Sequence, residues 1–226
     1  MKEISDQRKA ECPSCHKSLF KIPGAKTKCP HCGVAMFVRT RPQDRVRMVV
    51  TKADADEIDK DWAVCGGITH SFIPDQIELE KEKKILRNKF AGKEPSNADV
   101  IWAILNKRII EEASSGNYGL YRNGLFDMAE IARGEFRLKQ ALQFYFEVCY
   151  FDLNGSNNAH PPFDPTRSAL APMVIYDIQK IINRLDIYKN EIRTIFIEHN
   201  LKMYGSWKLP LSPDQCWSEL EKEIYK

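Results

Sequence analysis

Residues 12–33 read CPSCHKSLFKIPGAKTKCPHCG and contain two Cys-Pro-x-Cys turns. The 13 residues between the turns are enough for a short hairpin arm that brings the four thiols together. Four thiolates at this spacing are typical of a closed tetrahedral zinc site, in which no coordination position is open to water. We therefore predict that structural Zn2+ is bound by Cys12, Cys15, Cys29 and Cys32.

A redox role is the first alternative for these cysteines. A redox dithiol needs one Cys-x-x-Cys turn, usually at a helix start in a βαβ setting, and the sequence around the turns predicts neither. His16 and His31 follow or precede ligands and are alternative donors, but four thiolates already complete the tetrahedron. The other cysteines, Cys65, Cys149 and Cys216, are an odd, scattered set. We expect them to be buried reduced thiols, which favours a cytoplasmic location.

The cysteine-rich segment resembles zinc ribbons of the Cys-Pro-x-Cys type, which occur in transcription factors, ribosomal proteins and many phage proteins. Such ribbons bind nucleic acid, dock on proteins or only stabilise a fold, so the resemblance implies a small β zinc ribbon and no particular activity. The chain also resembles zinc-ribbon proteins of phages and prophages, and that resemblance implies an accessory phage role.

The ribbon and the segment that follows it are basic. The first 50 residues carry 11 Lys or Arg against 4 Asp or Glu. Residues 39–50, RTRPQDRVRMVV, contain arginines that share a face within each pair if the chain is extended, namely Arg39, Arg41, Arg45 and Arg47. Nucleic-acid phosphates are one partner for these side chains. Solvent and the protein's own acidic segment, DADEIDKD at 54–61, are the alternatives.

Changes in pattern along the chain predict three parts. Residues 1–48 form the zinc ribbon and its basic exit arm, and residues 49–73 form an acidic helix and a linker. Thr51 is the expected N-cap of that helix, and Gly66-Gly67 interrupts the chain after it. Residues 74–226 then have helical periodicity almost throughout, so we predict a mainly α protein with a small N-terminal ribbon.

The helical part is predicted to contain about seven helices. They cover 75–90, a stretch from about 98, 118–133, 135–153, a stretch from about 171, 189–203, and a final helix opened by Ser212-Pro213. No apolar run approaches the roughly 20 residues that span a bilayer, and the N-terminus lacks the apolar stretch of a signal peptide. We therefore expect no membrane partner.

Residues 125–154, LFDMAEIARGEFRLKQALQFYFEVCYFDLN, have small residues where two helices would cross. Ala129 and Ala141 are 12 positions apart, Tyr145 follows four later, and Leu125 and Met128 precede them. The arrangement resembles a tetratricopeptide (TPR) repeat. That resemblance implies a TPR-like stack of helical hairpins whose concave face binds a protein. An irregular helical bundle is the alternative.

The sequence contains no Gly-rich phosphate loop, no His-Glu-x-x-His and no Gly-x-Ser-x-Gly. We therefore expect a non-enzymatic adaptor that binds another protein through its helical domain. Nucleic-acid binding through the basic ribbon is the second hypothesis. An enzyme using the Asn/His loop at 154–165 is a minor third, since a turn-forming C-cap explains most of that loop. The expected contacts with a protein partner are Tyr121, Tyr150, Asn157 and His160.

Overall fold

The computed structural model describes residues 10–65 and 74–226, and the chain divides into two compact units, Met1–Gly66 and Gly67–Lys226. The described part of the first unit contains three strands and one helix. The strands form an antiparallel sheet in the order β1-β2-β3, and a helix, α1, follows. The elements are β1 Thr27–Lys28, β2 Ala35–Thr40, β3 Arg47–Val50 and α1 Lys52–Cys65.

The sheet of the first unit is covered on both faces. Side chains alternate along a strand, so neighbours point to opposite sides. On one side Met36 and Val49 pack with the predicted metal ligands. On the other side Phe37 and Val50, which are paired across β2 and β3, pack against Ala55 of α1. The ribbon therefore has a metal-side core and a helix-side core.

The predicted boundary at 48 falls within β3, which continues through Val50. The predicted acidic helix is α1, and it packs on β2 within the first unit. The linker predicted after this helix, up to residue 73, lies outside the described residues. The predicted N-cap is confirmed, because the Thr51 hydroxyl accepts a hydrogen bond from the Asp54 amide at 3.2 Å. The predicted interruption at Gly66-Gly67 lies outside the described residues.

The second unit contains seven α-helices within residues 74–226. Their starts follow local capping chemistry: Asp75, Ser96 and Ser212 each accept a hydrogen bond from the amide three residues later. The helices are α2 Gln76–Lys89, α3 Asn97–Ser114, α4 Tyr118–Gly134, α5 Leu138–Leu153, α6 Pro172–Leu185, α7 Lys189–Trp207 and α8 Pro213–Ile224. The predicted mainly α fold with a small antiparallel sheet is thus confirmed.

The connections α3–α4 and α4–α5 have the same geometry 20 residues apart. Each spans three residues, and the central one has positive φ: 75° at Gly116 and 59° at Phe136. The next amide then bonds back five residues, Asn117 to Glu112 at 2.9 Å and Arg137 to Ala132 at 2.8 Å. The positive φ at Phe136 delays the start of α5 to Leu138, three residues later than predicted.

α5 is the centre of the second unit and packs against α4, α6, α7 and α8. The residues singled out in the sequence for close helix crossing are buried: Ala129, Ala141 and Tyr145 are fully so, with 0% exposure. α2, α3, α4 and α5 each pack on the next along the chain. Among the described residues, no helix is both long and apolar enough to cross a bilayer.

Candidate metal centre

The four predicted ligands meet at one point. Their sulfur atoms all lie within 4.8 Å of one another. The Cys12 and Cys32 sulfurs are 3.7 Å apart, and those of Cys15 and Cys29 are 3.8 Å apart. Sulfurs bound tetrahedrally to one ion at about 2.3 Å lie about 3.8 Å apart, whereas a disulfide needs about 2.05 Å. The arrangement therefore fits a four-thiolate metal site.

Two equivalent backbone turns present these sulfurs. In the first, the Cys12 amide donates to the Lys17 carbonyl at 3.0 Å and the His16 amide donates to the Cys12 carbonyl at 2.9 Å. In the second, Cys29 and Gly33 make the same two bonds at 2.8 and 2.9 Å. The residue after the second cysteine of each turn has positive φ, 56° at His16 and 75° at Gly33. We call these turns the two knuckles.

The thiols influence one another strongly. Hydrogen bonding from the Cys15 backbone is the largest effect on Cys12 and lowers its pKa to about 6. At Cys32 a hydrogen bond from the Val34 backbone acts to lower the pKa, but desolvation and the neighbouring thiols together raise it to about 12. Four sulfurs this close repel one another when ionised, and a divalent cation at their centre removes that repulsion.

The two histidines beside the ligands lie outside the sulfur cluster. The His31 ring Nε2 lies 3.3 Å from the Ser18 carbonyl oxygen, and its backbone amide donates to the Cys29 sulfur at 3.4 Å. His31 therefore helps to hold the two knuckles together without replacing a ligand. His16 is exposed and occupies the left-handed position of its knuckle.

The four arginines after the ribbon are engaged within their own unit. Arg39 donates from Nε and Nη2 to both carboxylate oxygens of Asp59 on α1, at 2.7 and 3.0 Å. This pairing raises the pKa of Arg39 and lowers that of Asp59. The sequence left open whether these arginines contact nucleic acid, solvent or the protein's own acidic segment. In the structure, Arg39 contacts the acidic segment. Arg41 pairs with Asp44 three residues later.

The remaining two arginines make different contacts. Arg47 donates from Nη2 to the Pro23 and Gly24 carbonyls at 3.1 and 2.8 Å, which fastens the turn of the ribbon arm to β3. The Arg45 guanidinium lies 4.7 Å from the centre of the Trp62 ring. The predicted arginine row is thus dispersed over four separate contacts.

Tyr121 and Tyr150 are not exposed, which corrects their prediction as partner contacts. Tyr150 has 0% and Tyr121 9% relative exposure. The Tyr150 hydroxyl donates to the Leu211 carbonyl at 2.9 Å, and the Tyr121 hydroxyl donates to Glu147 at 2.6 Å. Helical periodicity placed both tyrosines on helices but did not show which helices would cover them. α5 is covered by α6, α7 and α8, which come later in the chain.

The Asn/His loop is organised by its own side chains. Asn157 accepts a hydrogen bond from the Ala159 amide at 2.7 Å, and its backbone carbonyl accepts one from the Gly119 amide at 3.3 Å. Asn158 accepts from the Leu120 amide at 3.0 Å. The loop therefore caps the start of α4, whose own N-cap side chain makes no capping bond. His160 is exposed.

Sequence reasoning missed two structural roles in the second unit. Asn154 is fully buried and accepts a hydrogen bond from the Leu211 amide at 2.8 Å, which ties the end of α5 to the start of α8. A buried cluster on α4, α5 and α6 also escaped notice. There, Arg133 donates to Glu130 at 2.7 Å and to the Tyr145 hydroxyl at 3.1 Å, with Asp177 at 3.8 Å. The i, i+3 spacing of Glu130 and Arg133 was the available signal.

Comparison of the chain with models of protein families, with curated proteins and with solved structures gave no match. The chemistry of the site is therefore inferred from its geometry alone. Four sulfur ligands fill a tetrahedral coordination shell, so an ion held there has no open position at which to activate water. Such a site can stabilise the first unit but cannot act as a Lewis acid.

Proposed function

We propose that the protein is a non-enzymatic cytosolic adaptor whose helical unit binds another protein. The observation that carries the proposal is an open groove of about 680 Å3 between α6 and α8. Leu153 and Ile175, both largely buried, contribute apolar surface to it.

The buried polar groups of the helical unit support the same proposal, because they bond to one another. Glu147 accepts a hydrogen bond from Tyr121, while Glu130, Arg133 and Tyr145 bond to one another inside the core. These contacts are those expected of groups that stabilise a fold. None of these groups lines the groove.

Zinc is the ion proposed for the four-thiolate site. Tetrahedral sulfur coordination suits zinc and also iron, and zinc is the usual ion in structural sites of this ligand spacing. Elemental analysis of the purified chain should give one zinc per chain and no stoichiometric iron. Stoichiometric iron with its visible absorption would refute the zinc assignment.

The helical unit is proposed to be TPR-like over α2–α5. The repeated connection geometry at Gly116 and Phe136 supports this proposal, as does the complete burial of Ala129 and Ala141 at the contact between α4 and α5. Helical-hairpin stacks offer extended surfaces for binding proteins, which agrees with an adaptor role. An accessory role in a phage is the corresponding biological proposal.

Affinity purification of the full chain, with nuclease treatment and mass spectrometry, tests the adaptor proposal. We expect a protein partner that survives nuclease treatment and copurifies in stoichiometric amount. Recovery of no protein, together with turnover of a small molecule by the pure chain, would refute the proposal.

Nucleic-acid binding is the second candidate. The residues that favour it are in the ribbon arm, and they differ from the four arginines that the sequence suggested. Phe20 is fully exposed, at 102% relative exposure, and lies between the exposed Lys17 and Lys21. An exposed ring can stack on a base while flanking lysines contact phosphates. A Lys17→Ala/Lys21→Ala variant should then bind single strands more weakly and with a shallower salt dependence. Arg39→Ala should change binding much less, since Asp59 already holds Arg39.

A further inference from the structure

The groove between α6 and α8 has one helical wall with a regular pattern. Pro172, Ile175, Tyr176 and Gln179 line it at spacing i, i+3, i+4 and i+7, which places them on one face of α6. This face is about two helical turns long, or roughly 10 Å. The groove is therefore long enough for several side chains of an extended or helical segment.

The opposite wall is acidic. Glu219 and Glu223 lie one turn apart on α8 and are the charged residues that line the groove. Their present partners are Lys222 at 2.8 Å and Lys226 at 2.5 Å, each three residues later. Both lysine side chains are more than 60% exposed, and exposed pairs of this kind contribute only about 0–1 kcal/mol. A cation from outside can replace them at little cost.

An aromatic ring at the groove also favours a cation. Tyr176 is a large side chain of α6 that is 56% exposed. The Lys180 ammonium lies 4.2 Å from its ring centre, so a cation of the partner has to replace Lys180 at this ring, as it replaces the lysines of α8. Gln179 is held at the same wall by donating to the Ile224 carbonyl at 2.7 Å. Cation-attracting groups therefore flank an apolar floor on both walls.

We propose that this groove binds a segment of a partner protein that carries Lys or Arg side chains beside apolar ones. The apolar side chains bury against Leu153 and Ile175, and the cations lie against Glu219, Glu223 and the Tyr176 ring. The inference rests on the proposed adaptor function and specifies the chemistry of the partner.

Two labelled 12-residue peptides of matched pattern test the inference with the full zinc-loaded chain. One is built from Leu and Lys, the other from Leu and Glu, and binding is followed by fluorescence anisotropy at moderate salt. We expect the Leu/Lys peptide to bind at least ten times more tightly than the Leu/Glu peptide. Equal binding of the two peptides, or binding of neither, would overturn the inference.

Charge reversal locates the binding. Glu219→Lys/Glu223→Lys should weaken binding of the Leu/Lys peptide at least tenfold and strengthen binding of the Leu/Glu peptide. The control Glu111→Lys/Glu198→Lys makes the same charge change at two exposed positions that do not line the groove, and it should leave both affinities within about twofold. Circular dichroism confirms that each variant is folded. Unchanged binding of the Leu/Lys peptide by the groove variant would overturn the inference.

The two proposals fail in distinguishable ways. If affinity purification recovers a protein partner that the Glu219→Lys/Glu223→Lys variant retains, and the parent binds neither peptide, the groove inference is wrong and the adaptor function stands. If no protein partner is recovered, the adaptor function itself is wrong.

Discussion

His16 and Gly33 occupy the same position in the two knuckles, one residue after the second cysteine, and both have positive φ, at 56° and 75°. Glycine adopts this conformation freely, whereas a residue with a Cβ is strained there. One knuckle therefore carries the residue suited to its backbone and the other carries a strained histidine. The strain at His16 therefore lowers the stability of the ribbon.

His16→Gly is expected to stabilise the metal-loaded first unit by about 0.5–1 kcal/mol, since it relieves the left-handed strain but loses some unfolded-state restriction. Gly33→Ala should destabilise it by about 1 kcal/mol for the converse reason. Chelator competition and thermal unfolding measure both effects. Gly24→Ala is the matched control, because Gly24 has open space at its Cβ and no positive φ. Equal effects of Gly24→Ala and Gly33→Ala would contradict this explanation.

Removing the metal should unfold the first unit and leave the second folded. Structural zinc contributes about 10–16 kcal/mol in small ribbons. In this chain its ligands form the core on one face of the sheet. After chelation, hydrogen exchange should accelerate across β2, β3 and α1 while α5 stays protected. Cys29→Ser should reproduce this result, and Cys149→Ala, a buried thiol of the second unit, should retain one metal per chain. Continued protection of β2 in metal-free protein would refute the prediction.

Tyr145→Phe should destabilise the second unit by about 1–3 kcal/mol, because Arg133 and Glu130 each lose a buried hydrogen-bond partner. Urea unfolding followed by circular dichroism measures the change. Tyr188→Phe removes a hydroxyl from a side chain that is 78% exposed and should change stability by less than about 0.5 kcal/mol. If the two variants unfolded alike, the buried cluster would not be a stabilising network.

Asn154→Ala should cost about 1–3 kcal/mol, because the Leu211 amide and the Tyr150 carbonyl both lose their bonds to its side chain. His160→Ala, in the same loop but exposed, should leave the unfolding free energy unchanged. A loss of partner binding in folded His160→Ala would support the predicted contact at that residue. A neutral Asn154→Ala would show that the loop does not tie α5 to α8.

Asp152 should make the second unit less stable as pH rises. Burial raises its pKa, and the ion pair with Arg122 offsets only part of that effect. A carboxyl with a raised pKa in the folded state favours folding below its unfolded pKa, about 3.9. That contribution is then lost as pH rises towards the folded pKa. Asp152→Asn should therefore flatten the decline of stability in this window.

Tryptophan fluorescence of a Trp62→Phe background isolates this measurement, because the three remaining tryptophans belong to the second unit. Asp164→Asn is the comparison with opposite sign. Hydrogen bonding from Thr166 lowers the pKa of Asp164, so its carboxylate adds stability that appears as pH rises. This gain lies below the unfolded pKa of about 3.9, so Asp164→Asn should lessen a rise of stability below that pH and leave the decline above it unchanged. The explanation fails if both variants change the pH dependence in the same direction.

The sequence by itself determined the features that depend on neighbours along the chain. The clustering of the four thiols of the candidate metal site follows from two turns and their spacing. The starts of three helices follow from Asp75, Ser96 and Ser212, whose side chains bond to an amide three residues away. Local geometry sets these contacts, so residue type and spacing are sufficient to predict them.

Only the tertiary structure decided which side chains are buried or held by residues far away in the chain. Arg39 and Asp59 are 20 residues apart, and Tyr150 and Leu211 are 61 apart, yet each pair is in hydrogen-bond contact. Such partners are chosen by how helices and strands pack, and helical periodicity gives a buried face without naming what covers it. The acidic helix therefore packs on one face of the ribbon's sheet and forms the core there. Tyr121 and Tyr150, predicted as partner contacts, are buried.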